Sequence, residues 1–153
     1  GPYDPETASG GNVALGFTQF AAIYYQHFVK GSSCSVRVLQ GSSPAASAVT
    51  LYPTSIAGTT ADDSAQPGAK TRVLPGDTSG KCYIRSYHTT NKIFGHDVRK
   101  DSDYFGGSTV VPSVNWYWHI RSDSADGTTA INAYAVVDLV YYTTFFNRIK
   151  LSQ

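Results

Sequence analysis

Between Ala130 and Ile149 the chain reads as one long β-strand, with Ala133, Ala135, Val137, Leu139, Tyr141 and Phe145 on one side. Successive strand residues point to opposite faces, so a period of two assigns these side chains to a common buried surface. The other side mixes Tyr134, Asp138, Thr144 and Arg148 with Val136, Val140 and Phe146. Strands usually run about five or six residues. One this long, apolar on both faces, is expected at the centre of a sheet where both neighbours pair with it. The run therefore sets the class: an all-β fold, an antiparallel β-sandwich.

The remaining segments agree. Val114, Trp116, Trp118 and Ile120 share one face of another strand, and Asn115, Tyr117, His119 and Arg121 the other. The tryptophan face is expected in the core. Shorter alternating runs are Cys34–Val38, Ala48–Tyr52 (closed by Pro53), Thr71–Leu74 (closed by Pro75-Gly76) and Lys81–His88. Glutamate occurs once and methionine never, so two good helix formers are nearly missing, whereas Tyr 11, Phe 7 and Trp 2 favour strands. One helix is expected near the N-terminus. Phe17, Phe20, Ala21, Tyr24 and Phe28 form a single apolar stripe, with Gly31 as its stop. Residues 1–16 read as an extended arm and 17–153 as one domain, with long loops at 55–69 and 95–113.

With 153 residues the chain buries roughly 68–70% of its unfolded surface without a metal or a disulfide. Charged residues are 15%, too few for disorder or a coiled coil. A net charge of +1 makes the domain by itself a weak partner for nucleic acid or membrane. No apolar run approaches the length of a membrane helix, and no basic stretch followed by an apolar core opens the sequence. Cys34 and Cys82 are expected as buried free thiols, since each sits in an alternating run.

An enzyme would show a nucleophile, a base or a metal cluster. His27, His88, His96 and His119 lie in four separate segments without metal-ligand spacing. No GxSxG elbow occurs, and neither cysteine has an adjacent base. The single glutamate, Glu6, sits in the terminal arm, so a paired Glu acid and base cannot be built and only aspartates remain. Asp62-Asp63 and Asp101-Ser102-Asp103 lack the calcium-loop pattern and read as solvated loops. No catalytic residue, metal ligand or cofactor is expected.

The order of features resembles a known group. Tyr3-Asp4-Pro5, Gly10-Gly11, Gly16-Phe17, Tyr24-Tyr25 and Val29-Lys30-Gly31-Ser32 come first. Lys92-Ile93-Phe94-Gly95, the loop to Pro112, the aromatic strand Asn115–Ile120, and Tyr141-Tyr142 with Phe145-Phe146-Asn147-Arg148 follow. Together they resemble capsid proteins of small circular single-stranded DNA viruses, the circovirus-like group that encodes a replication initiator. The likeness covers nearly the whole chain through loose hydrophobic and glycine spacings. It implies an eight-stranded jelly roll and a sixty-subunit icosahedral shell around single-stranded DNA, without enzymatic activity. It also implies a virion protein assembled in the host nucleus, with itself, the packaged strand and a host surface receptor as partners, and no membrane insertion. The family's Arg-rich arm and first strand do not precede Tyr3, so the chain is expected to be processed or part of something longer.

Carried over to this chain, Arg37, Arg85 and Arg148 are the candidate nucleic-acid contacts. Tyr104, Phe105 and Arg99 are the candidate subunit contacts, within a segment Asp97–Val111 expected between copies. Two other readings stand beside this one. A carbohydrate-binding, lectin-like sandwich would use Trp116, Tyr117 and Trp118 as a stacking platform. A shell domain of a small RNA virus would share the assembly function. A small hydrolase is the weakest reading.

Overall fold

The computed structural model describes residues 13–41, 45–55, 66–76, 80–108 and 110–150. In chain order they form α1 (Phe17–Ala21), β1 (Tyr24–Gln40), β2 (Ser47–Thr54), β3 (Lys70–Leu74), β4 (Lys81–Thr89) and α2 (Thr90–Phe94). A 3-10 turn (Ser102–Tyr104), β5 (Phe105–Gly107), β6 (Tyr117–Ser124) and β7 (Ala133–Arg148) complete them. The strands make two sheets, β3-β2-β6 in one and β4, β5 and β7 all paired to β1 in the other. The expected all-β class holds. The arm before Asn12 and most of the 55–69 loop, with Asp62-Asp63, lie outside the described residues.

Two compact units divide the chain. One comprises Ser33–Tyr87 and Trp116–Leu139; the other comprises Gly1–Ser32, His88–Asn115 and Val140–Gln153. Strands β1, β4 and β7 contribute residues to both.

In the first unit β2 pairs antiparallel with β3 from Ser47↔Leu74 to Leu51↔Lys70. On its other side it pairs with β6 from Ser47↔Ser124 to Thr54↔Tyr117. The sequence ends β2 at Pro53, yet the strand continues to Thr54. Pro53 lies beyond the reach of β3, where only β6 remains to be paired, and proline is tolerated in a strand open on one side. Cys34, Val36 and Val38 of β1 meet Val49 and Leu51 of β2, Leu74 of β3 and Ile84 of β4 in one core, all at most 4% exposed. Cys82, Trp118, Ala133 and Leu139 pack against it. Side chains of two sheets filling a single layer make this unit a β-sandwich. Each such aliphatic side chain removed from water contributes roughly 1.5–3 kcal/mol. The connection from β6 to β7 is tied by Asp126. Its carboxylate accepts from the backbone N–H groups of Thr128 and Thr129 at 3.0 and 2.9 Å and from the Ser124 and Thr129 hydroxyls.

The second unit corrects the expected helix. α1 is a single turn ending at Ala21, and β1 starts at Tyr24 where the apolar stripe predicts helix. Gln26, His27 and Phe28 pair with Gly107, Gly106 and Phe105 instead. His27 and Phe28 are neighbours on opposite strand faces, yet both are buried. A strand covered on both sides thus imitates a helical stripe, and the aromatic and β-branched run Ile23–Phe28-Val29 prefers the strand. Gly31, the expected stop, sits buried inside β1. The 95–113 segment likewise holds β5 and the 3-10 turn rather than loop alone. The expected turn at residues 92–95 belongs to α2, which is capped by Thr89, whose Oγ1 accepts from the Lys92 N–H at 3.3 Å. It ends on Gly95 at φ 76, the left-handed conformation glycine adopts without strain.

Two further expectations change. β7 does not occupy a sheet centre: among the described residues it pairs with β1 alone, and β1 is the strand with several partners. The tryptophans are half-buried rather than fully enclosed. Trp118 reaches the core, Trp116 precedes the strand, and Ile120 is 39% exposed.

Candidate functional site

The four histidines lie apart from one another along the chain, in different strands and loops. His119 Nδ1 lies 3.2 Å from the Tyr52 hydroxyl, its cross-strand partner. His96 Nδ1 lies 3.0 Å from the Phe94 carbonyl. His88 is buried in β4, and His27 is enclosed in the second unit. No group of three or more His, Cys, Asp or Glu able to hold a metal ion occurs among the described residues. Asp101 caps the 3-10 turn by accepting from the Asp103 N–H at 3.0 Å. Cys34 and Cys82 are free thiols. Burial, with Asp138 adding to it, pushes the Cys34 thiol up to about 11. Such a thiol is a poor nucleophile near neutral pH.

Three of the six arginines stand against aspartates. Arg37 pairs with Asp138 at 3.1 Å, Arg99 with Asp97 at 2.7 Å and Arg121 with Asp123 at 2.8 Å. Arg72 and Arg85 instead share a cleft of about 450 Å³ in the first unit with Lys70, Thr71, Tyr83 and Ile84. Among the described residues no carboxylate lines it. β3 and β4 each give three consecutive residues to the cleft, Lys70 to Arg72 and Tyr83 to Arg85. Ile84 also belongs to the core, at 2% exposed. The Lys70 ammonium donates to the Arg85 carbonyl at 2.8 Å, tying one strand to the other. Tyr83 leaves half its surface open to solvent.

Of the nucleic-acid candidates, then, only Arg85 lies in a cationic cleft. Arg37 is neutralised by Asp138, and Arg148 is exposed at the end of β7 in the other unit. Sequence reading passed over Lys70 and Arg72. Their signal was available as the period-two spacing of cations along β3, but nothing local says that β3 and β4 face one cleft.

The candidate subunit contacts lie together in the second unit. Phe105 is edge-on to Phe28 and Phe146, with ring centroids 5.9 and 5.0 Å apart. Tyr104 packs on Phe94 at 4.9 Å and His96 at 6.0 Å. Arg99 makes a two-pronged contact to Asp97 through Nε and an amino group. The Asp97 carboxyl is held well below the usual carboxylate range, chiefly by the Arg99 side chain. Val110 and Val111, by contrast, are exposed. So are Tyr134 (67%), Val136, Val137, Val140 and Tyr142 along β7.

Comparison with protein-family models, with curated proteins and with solved structures finds no match for this chain.

Proposed function

We propose that this chain is a shell-forming structural protein, the capsid protein of a small circular single-stranded DNA virus. Many copies of its jelly-roll sandwich would assemble into a sixty-subunit icosahedral shell around the genome. One observation carries the reading: β7, which pairs with β1, offers large apolar side chains to solvent on both faces. Native sheets avoid a long, flat, apolar edge unless another chain covers it. A second copy would bury Tyr134, Val136 and Val137. Val110 and Val111 at the end of Asp97–Val111 are further apolar residues open to a neighbour.

The indoles favour this role over a sugar-binding module. Trp116 and Trp118 lie edge-on to each other at 5.5 Å, and Trp118 packs on the core, so they do not form an open stacking platform. Electron microscopy and sedimentation of the purified protein test the reading. Uniform closed shells are expected; a monomer at every concentration would overturn it.

A further inference from the structure

We propose that the cleft formed by Lys70, Arg72, Tyr83 and Arg85 binds the sugar-phosphate backbone of a single-stranded nucleic acid. Among the described residues, three cations line one cleft without a carboxylate, although the chain places an aspartate against each of Arg37, Arg99 and Arg121. Like charges held together in one cleft repel. An anion spanning them removes that repulsion, and the site's potential draws the anion in. Successive phosphates satisfy more than one cation at once. Arg72 and Arg85 supply planar donor forks suited to phosphate oxygens. Lys70, fixed by its bond to the Arg85 carbonyl, is held in place before the ligand arrives.

Tyr83 decides the class of polyanion. Its exposed ring lies among the cations. Basic grooves that carry aromatic rings hold single strands, because a splayed base stacks on the ring while the backbone follows the charges. A sulfated glycan offers the charge but no base to stack. A duplex keeps its bases inside. The inference deepens the shell reading and rests on it for the source of the strand, while its test stands apart from assembly.

The test is fluorescence anisotropy of the full chain with a short labelled oligothymidylate, with a duplex of equal length and heparin as separate arms. The single strand is expected to bind with a log–log salt slope of about −2, the value for three neutralised phosphates at about −0.7 each. Arg72→Glu with Arg85→Glu is expected to weaken binding at least tenfold. Lys100→Glu with Lys150→Glu, the same charge change in the other unit, is expected to alter it less than twofold beyond the general salt effect. Tyr83→Ala is expected to weaken oligothymidylate binding and leave heparin binding unchanged. Arg72→Gln with Arg85→Gln repeats the measurement should the acidic pair fail to fold by circular dichroism. Equal binding by parent and folded cleft variants overturns the inference, as does heparin binding that tracks the cleft while the oligonucleotide does not bind. Shells that form in the microscope with cleft-independent binding sink the cleft alone. Cleft-dependent binding by a protein that never assembles sinks the shell reading alone.

Discussion

A histidine enclosed as tightly as His27 is neutral in the folded chain and charged only at a cost. Phe17 lies edge-on to its ring at 4.9 Å, Phe145 lies 6.1 Å away, and Nε2 is sealed from water without a hydrogen-bond partner. Burial lowers its pKa below the ordinary 6.5, and a hydrogen bond to the Gly107 backbone only partly opposes this. Below about pH 6.5 the unfolded chain binds the proton more readily than the folded one, so stability falls as pH falls through that value. The loss approaches at most about 1.4 kcal/mol per pH unit for one proton. Thermal melts between pH 7.5 and 5 are expected to show a falling Tm, and His27→Gln is expected to flatten the part of that slope due to this site. Gly106 faces the same ring. A methyl group there would come within 2.2 Å of His27 Cε1 and 2.9 Å of the Val110 carbonyl oxygen. Neither neighbour can swing aside freely. Gly106→Ala is expected to destabilise by about 1–3 kcal/mol in denaturant melts, and removing the ring with His27→Ala is expected to make the two changes non-additive.

Elements behave as their pairing dictates. β2 is buried on both faces, with Val49, Thr50, Leu51 and Tyr52 all at most 3% exposed, because β3 and β6 flank it and the core lies beneath. Leu51→Ala would leave a void between two sheets with little room to collapse. It is expected to cost about 2–5 kcal/mol, read as an earlier urea midpoint at unchanged m-value. β1 shows the converse, a segment whose local spacing suits a helix but whose neighbours make it a strand. Its Tyr24–Ser32 stretch finds hydrogen-bond partners in β5 that the sequence does not advertise, since Phe105-Gly106-Gly107 looks like a turn. Phe145 shows how much such pairing gathers. Phe17, Phe20, Tyr24 and His27 all pack around it, from parts of the chain more than a hundred residues away.

For the molecule as a whole, the exposed strand β7 sets the behaviour to expect. Tyr134→Lys with Val136→Lys places two charges where a neighbouring copy would lie. The pair is expected to abolish closed shells in electron microscopy and leave soluble small species, with the far-ultraviolet spectrum of a β protein retained. The same pair in a protein that still forms shells would show that β7 is not the contact. Sites on the other unit, Val110 and Val111, would then be the next apolar surface to change.

Period-two spacing within this chain was enough to establish an all-β fold and the strand character of much of β2, β4, β6 and β7, but not the burial of β7, where Ala135 and Val137 on the expected buried side are exposed. It also marked Cys34–Val38 and Lys81–His88 as alternating runs, and Val36 and Ile84 of those runs lie in the core. Position within a sheet is different, since it depends on pairing between residues far apart. Only the tertiary structure decided that β1 has several partners and β7 one, that Phe28 belongs to a strand, and that Trp116 stays half-buried. It likewise brought Lys70 and Arg72 across from Arg85. No short stretch of sequence encodes which strand edge another segment will cover, because that choice is made by the free energy of the whole packed arrangement.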